Sequence, residues 1–137
     1  MNEELTCFKA YDVRGELGPE FNNETCYRIA RAFAQVIGKN KVVVGWDARE
    51  TSPDLSKSVI QGLIDEGATV INIGLAGTEE MYWGTTYFEA CGGIEVTASH
   101  NPINFNGLKM VKSGSKPLDP INDFMKIKQI AEKNEFK

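Results

Sequence analysis

The stretch KVVVGWDARETSP, residues 41–53, predicts the fold class because a buried strand, a polar loop and a helix start follow one another. Three consecutive valines are typical of a strand that is covered on both faces, and proline is common in the first turn of a helix. The same alternation continues along the chain, with helices predicted for residues 22–37, 52–66, 79–88 and from 119 onward, and strands for ATVINIG, GGIEVT and GLKMV. Residues 1–137 are therefore predicted to form a single three-layer α/β/α domain with a mixed, mostly parallel sheet.

Composition and charge exclude several classes of function. The formal charge of −4 argues against a nucleic-acid binder, which needs a basic face for its phosphate contacts. No apolar run is long enough to span a membrane, and residues 1–10 do not resemble an export signal. The cysteines Cys7, Cys26 and Cys91 are odd in number and widely spaced, which is typical of reduced thiols. We expect a cytoplasmic protein without nucleic-acid or membrane partners.

The loop that follows GGIEVT contains Ser99 and the only histidine, His100. A serine in a loop is ordinarily exposed or bonded to nearby backbone. A serine hydrolase is disfavoured because the side chains of adjacent residues diverge, no second histidine exists, and Ser99 lies in no GxSxG motif. Residue type alone therefore does not assign a catalytic role to this serine.

Three other segments carry charges suited to phosphate. FKAYDVRG contains Lys9 and Arg14, GWDARETSP contains Asp47 and Arg49, and NGLKM contains Lys109. The arginine fork matches phosphate oxygens and lysine supplies a compact charge. The ordinary alternative is a solvated side chain, or for Arg49 an ion pair with Asp47. These residues indicate phosphate chemistry without proving it.

The hexapeptide TASHNP, together with FKAYDVRG and GWDAR, resembles the N-terminal domain of the α-D-phosphohexomutases. The resemblance covers essentially the whole chain. AYDVRG and TASHNP are more similar to the phosphomannomutase/phosphoglucomutase branch than to the phosphoglucosamine mutases, which usually carry SASHNP. The stretch GLAGTEEMYWGT resembles bacterial phosphomannomutases that supply GDP-mannose.

This resemblance implies that Ser99 is a phosphoserine that donates its phosphoryl group to a hexose phosphate through a hexose 1,6-bisphosphate intermediate. Arg14 and Lys109 would neutralise charge on the transferring group, and Lys109 is also a candidate general acid or base. Tyr11 and His100, with Arg14 and Lys109, would contact the substrate, and the Ser99 phosphate would bind Mg²⁺. A phosphoglucomutase, a dual-specificity enzyme and a stand-alone sugar-phosphate-binding module stay open as alternatives.

The resemblance also bears on the rest of the molecule. Relatives have four domains, so domains II–IV of the same protein are expected partners and the chain alone is expected to be inactive. Asp47 and Arg49 are assigned to structural support, and Asn101 and Pro102 to fixing the loop. We expect self-association through Trp83, Phe105 and the apolar stripe of the last helix.

Overall fold

The computed structural model describes residues 4–9 and 12–136, which form an α/β domain. Its strands and helices, in chain order, are β1 (Val13–Glu16), α1 (Asn23–Ile37), β2 (Lys41–Trp46), α2 (Ser52–Asp65), β3 (Thr69–Leu75), α3 (Thr78–Tyr87), β4 (Gly92–Val96), β5 (Phe105–Lys112), β6 (Lys116–Pro117) and α4 (Met125–Lys133). The first three helices begin and end within one residue of their predicted bounds. Strands β1 and β6 were not predicted.

Local capping explains where the helices begin. The side chain of Asn22 accepts a hydrogen bond of 3.0 Å from the Thr25 backbone N–H, which satisfies a free donor in the first turn of α1. In α3, the Glu80 carboxylate accepts from the Gly77 backbone N–H at 2.7 Å. Gly38, with φ of +147°, follows α1 and suits its end.

The last helix differs from the regular helix predicted from Asp119 and Pro120. Residues Pro120–Phe124 form a π-helical turn, in which the Phe124 backbone N–H donates to the Asp119 carbonyl five residues earlier. The wider turn brings Phe124 into the core, where its ring lies 5.1 Å from that of Phe8. Regular α-helix then continues as α4.

The sheet has the order β1-β5-β4-β2-β3, and β6 pairs with the C-terminal end of β5, at Val111 and Lys112. Strand β2 is parallel to β3 and β4, while β5 is antiparallel to β1, β4 and β6. Among the described strands, β5 alone therefore runs against the rest. The predicted mixed, mostly parallel sheet is confirmed.

Helices cover the sheet unequally. Helices α1, α2 and α4 lie on one face over a large apolar core that includes Phe33 and Leu63, and α3 lies on the other face over a small cluster around Val43 and Met81. The expectation that the apolar stripe of the last helix faces outward is wrong for Phe124 and Ile127, because both are buried against the core. Trp83, by contrast, is 62% exposed. Among the described helices, none has the length and apolar character needed to cross a membrane.

Candidate active site

Ser99 lies in the loop of residues 97–104 that connects β4 to β5, called here the Ser99 loop. The residue is exposed and has φ of +56°, in the left-handed region that non-glycine residues rarely adopt. Such a conformation costs about 1–3 kcal/mol and persists only where the surroundings hold it. The Ser99 N–H donates to the Thr97 hydroxyl at 3.0 Å, and the Asn101 amide donates to the Ala98 carbonyl at 2.8 Å. The loop thus presents a serine hydroxyl on a constrained backbone.

The Arg49 guanidinium holds this loop from the neighbouring strand end. It donates to backbone carbonyls at 2.6–3.0 Å, those of Ser99, Asn101, Pro102 and Phe105. The Asp47 carboxylate lies 3.6 Å from Arg49 Nε, which confirms the ion pair considered from the sequence. One planar group therefore connects the end of β2 to the Ser99 loop and to the first residue of β5.

A buried network of hydrogen bonds holds Asp47 in position. The Ser52 hydroxyl donates to Asp47 Oδ1 at 2.6 Å, and the amide of Asn106, which is fully buried, donates to Ser52 Oγ at 3.0 Å and to Thr51 Oγ1 at 2.9 Å. Because each of these groups has a partner, the network adds rigidity. It joins the loop after β2 to β5.

Arg14 and Lys109 meet at a second group of charges, the Asp12 cluster (Asp12, Arg14 and Lys109). Arg14 Nε lies 3.1 Å from Asp12 Oδ1, and Lys109 Nζ lies 3.4 Å from Asp12 Oδ2. The three side chains are partly exposed. Two cations against one carboxylate leave a net positive charge, which suits an anionic substrate.

Gly107 lies between the Asp12 cluster and the Ser99 loop. It pairs with Arg14 of β1 on one side, and on the other its carbonyl accepts from the Thr97 N–H at 2.8 Å. Strands lie about 4.8 Å apart, so the Arg14 backbone and the start of the Ser99 loop are separated by about 10 Å. A Cβ atom at residue 107 would lie only 2.0 Å from the Val13 carbonyl oxygen, so this close approach requires glycine.

Two of the predicted site residues, Ser99 and Lys109, line separate cavities. Ser99 lines an open depression of about 400 Å³ with Asp47, Arg49 and Asn101, whereas Lys109 lines a second cavity of about 380 Å³ with Asp12. His100 is exposed on the Ser99 loop. Lys9 lies elsewhere, because its Nζ is 3.6 Å from Glu20. Tyr11 lies outside the described residues.

Sequence reasoning missed Asn106 and Glu95, which are both fully buried polar residues. The signal for Glu95 was a single charged residue within the apolar run GGIEVT. Over residues 4–9 and 12–136, no three His, Cys, Asp or Glu side chains are grouped to hold a metal ion.

Comparison with known proteins places this geometry in a family. Residues 5–137 match the model described as phosphoglucomutase/phosphomannomutase, alpha/beta/alpha domain I. The chain belongs to this family. A structure of a phosphoglucomutase/phosphomannomutase family protein from Burkholderia thailandensis matches with a TM-score of 0.85 and 29% identity, over all of this chain and 32% of that one. The fold and the family are therefore shown together.

The chain covers a different share of the length of each relative. It is 50% identical over 97% of its length to a phosphomannomutase from Klebsiella pneumoniae, of which it covers 85%. It is 51% identical over 98% of its length to a phosphomannomutase from Vibrio cholerae, and covers 30% of that protein. The chain thus spans less than a third of the Vibrio relative.

Proposed function

We propose that this domain carries the phosphorylated serine of a phosphomannomutase, which interconverts mannose 6-phosphate and mannose 1-phosphate through a hexose 1,6-bisphosphate. The observation that carries the proposal is Ser99 itself, exposed on a left-handed backbone that Arg49 holds by its carbonyls. Mannose is chosen because relatives about 50% identical are named phosphomannomutase.

The proposed reaction consists of two transfers. In the first, a hydroxyl oxygen of the hexose phosphate forms a bond to phosphorus, the bond from phosphorus to Ser99 Oγ breaks, the hydroxyl gives up its proton and Ser99 Oγ takes one. The bisphosphate then turns over within the site. In the second transfer, its other phosphoryl group returns to Ser99, so that isomerisation occurs without net loss of phosphate.

Arg14 and Lys109 supply the positive charge in this proposal. Positioning and charge stabilisation are the main tasks of a protein in phosphoryl transfer. Asp12 holds both cations by contacts of 3.1 Å and 3.4 Å, which fixes their positions before substrate binds. Lys109 is the proposed acid or base for the transferred protons. His100 and Tyr11 are proposed to contact the sugar phosphate.

The proposal also includes a magnesium ligand and a metabolic role. Only the phosphate on Ser99 is proposed as a ligand from this chain, so no step above is assigned to Mg²⁺. Supply of mannose 1-phosphate to GDP-mannose synthesis in the cytoplasm is the proposed role. Domains II–IV of a longer protein are the proposed partners, and the domain alone is proposed to be inactive.

A chimeric enzyme tests the proposal. The chain would replace the segment of the Vibrio cholerae phosphomannomutase that it matches, and the conversion of mannose 1-phosphate and glucose 1-phosphate would be measured side by side. Ser99→Ala should abolish turnover, while Ser113→Ala, which removes another exposed hydroxyl, should leave it unchanged. Lys109→Ala should slow transfer by about two or more orders of magnitude and leave Ser99 phosphorylatable.

Peptide mass spectrometry identifies the phosphorylated residue directly. After incubation with a hexose 1,6-bisphosphate and Mg²⁺, we expect phosphate on the peptide that contains TASHNP. Phosphate on a different peptide, or full activity of Ser99→Ala, would contradict the phosphoserine mechanism. A preference for glucose 1-phosphate would retain the mechanism and overturn the choice of mannose.

A further inference from the structure

Glu95 is a buried carboxyl group to which the proposed reaction assigns no role. It lies in β4, four residues before Ser99, and its side chain is fully buried. Among the described residues, neither of its oxygens has a hydrogen-bond partner. A buried carboxylate without partners is strongly unfavourable, so such a group retains its proton.

Each element packed against Glu95 contributes to this environment. From β2, the backbone of Gly45 makes room for the carboxyl group, since a Cβ atom there would lie 2.7 Å from Glu95 Oε1. The cross-strand neighbour on β5 is Lys109, whose Nζ lies 3.4 Å from Asp12. The remaining charges are those of Asp47, after β2, and Glu80, in the first turn of α3.

Both of these charges are negative. Burial first, and then the charges of Asp47 and Glu80, raise the pKa of Glu95 to about 8. At neutral pH the group is therefore a neutral acid. Its ionisation would create a fully buried negative charge near two existing carboxylates, those of the partly exposed Asp47 and the exposed Glu80.

Asp47 connects Glu95 to the Ser99 loop. Its carboxylate accepts from the Arg49 backbone N–H at 3.0 Å and from the Ser52 hydroxyl at 2.6 Å, and it pairs with the Arg49 guanidinium at 3.6 Å. That guanidinium in turn holds the carbonyls of the Ser99 loop. Glu95 is paired with Gly45 across the sheet, and the Asp47 backbone N–H donates to the carbonyl of Val96, the residue after Glu95, at 3.1 Å. A negative charge on Glu95 would therefore repel the carboxylate that holds Arg49 on the Ser99 loop.

We propose that Glu95 is a proton-dependent positioning residue for the Ser99 loop. As a neutral acid it leaves Asp47 free to hold Arg49 on the loop, and as a carboxylate it repels Asp47 and loosens the loop. Glu80 is repelled in the same way, so the first turn of α3 loosens as well. The inference concerns the order of the loop and does not depend on phosphoryl transfer.

Amide hydrogen exchange across a pH series tests the inference. Exchange would be measured by mass spectrometry from about pH 6 to about pH 9.5, with rates corrected for the intrinsic effect of pH. In the unmodified protein, we expect protection of peptides within residues 97–105 to fall about tenfold with a midpoint near the pKa of Glu95, while α1 peptides stay protected. Glu95→Gln should abolish this pH dependence.

Glu50→Gln is the matched control, because Glu50 is an exposed carboxyl in the same loop as Asp47. It should behave like the unmodified protein. If the Ser99 loop of the unmodified protein keeps constant protection over the range, the proposal is overturned, and this result needs no variant. Retention of the pH dependence in a folded Glu95→Gln would overturn it as well.

The free energy of unfolding supplies a second readout. Glu95 ionises near 4.5 in the unfolded chain and near 8 in the folded protein, so the folded state binds the additional proton between these values. Stability is therefore highest below about pH 4.5 for this group alone, falls as pH rises towards 8, and levels off above it. Glu95→Gln should lack this decline in urea denaturation, whereas Glu50→Gln should retain it.

Discussion

The two faces of the sheet differ in what they bury. On the face covered by α1, α2 and α4, the buried residues form one large apolar core. The face covered by α3 has a small apolar cluster, and beside it lie Glu95, Lys109 and the rest of the Asp12 cluster. The charged groups buried on the first face have partners, since Arg28 donates to the Ala131 carbonyl and Arg31 to Glu66, whereas neither oxygen of the buried Glu95 has a hydrogen-bond partner among the described residues. One face supplies stability, and the other supplies the chemistry of the candidate site.

The strongest test of this comparison removes an aromatic side chain from the large core. Phe33 on α1 is fully buried, so Phe33→Ala should lower the free energy of unfolding by about 3–5 kcal/mol through lost burial and a cavity. Urea denaturation at constant pH measures the change. A loss below about 1 kcal/mol would indicate that this face does not dominate stability.

A second test breaks the arrangement of the site at Gly107. Gly107→Ala would push its new Cβ against the Val13 carbonyl and move β1, which carries Arg14, away from β5. We expect a loss of about 1–3 kcal/mol and faster amide exchange in β1. Gly84→Ala is the control, since its Cβ would contact Val43 at an ordinary 3.5 Å and alanine favours helices. That change should stabilise α3 by up to about 1 kcal/mol, and equal losses for both variants would refute the argument from close approach.

The smallest effect is expected at Trp83 on the outer surface of α3. Its ring is stacked on Tyr87 with centroids 4.5 Å apart, but the side chain is 62% exposed. Trp83→Ala should therefore cost no more than about 1 kcal/mol, far less than Phe33→Ala. Denaturation of both variants under the same conditions makes the comparison.

Sedimentation of the unmodified protein and the Trp83 variant also tests the predicted self-association, which a monomer at high concentration would contradict.

Local patterns predicted most of the fold. Asn22, Pro53 and the glycines after the helices mark helix ends by capping chemistry that acts within a few residues, and the valines of β2 mark a buried strand. Strand β1 was missed because its four residues are ordered by pairing with β5, which lies far along the chain. The π-helical turn likewise depends on the burial of Phe124 by tertiary packing.

The candidate site was predicted in part. The stretch TASHNP singled out Ser99, and an ion pair with Asp47 was one of the alternatives considered for Arg49, which the structure confirms. The carbonyls that Arg49 holds lie 50 to 56 residues further along, so only the folded chain reveals them. The isolation of Glu95 depends on the directions of its neighbours' side chains, which no sequence pattern encodes. Roles in catalysis for Ser99, Arg14 and Lys109 stay predictions.

The pairing of β1 with β5 has a consequence for the order in which the protein is built. Residues 13–16 leave the ribosome early, whereas their partners at 105–108 are made several seconds later, at a synthesis rate of about 5–20 residues per second. Strands β2 and β3 with α2 between them form a local unit that needs no such wait. Arg14 therefore reaches its place beside Lys109 only after β5 has been made, and a nascent chain stalled before residue 105 lacks both the paired charges and the part of the apolar core that Leu108, Phe124 and Ile127 supply.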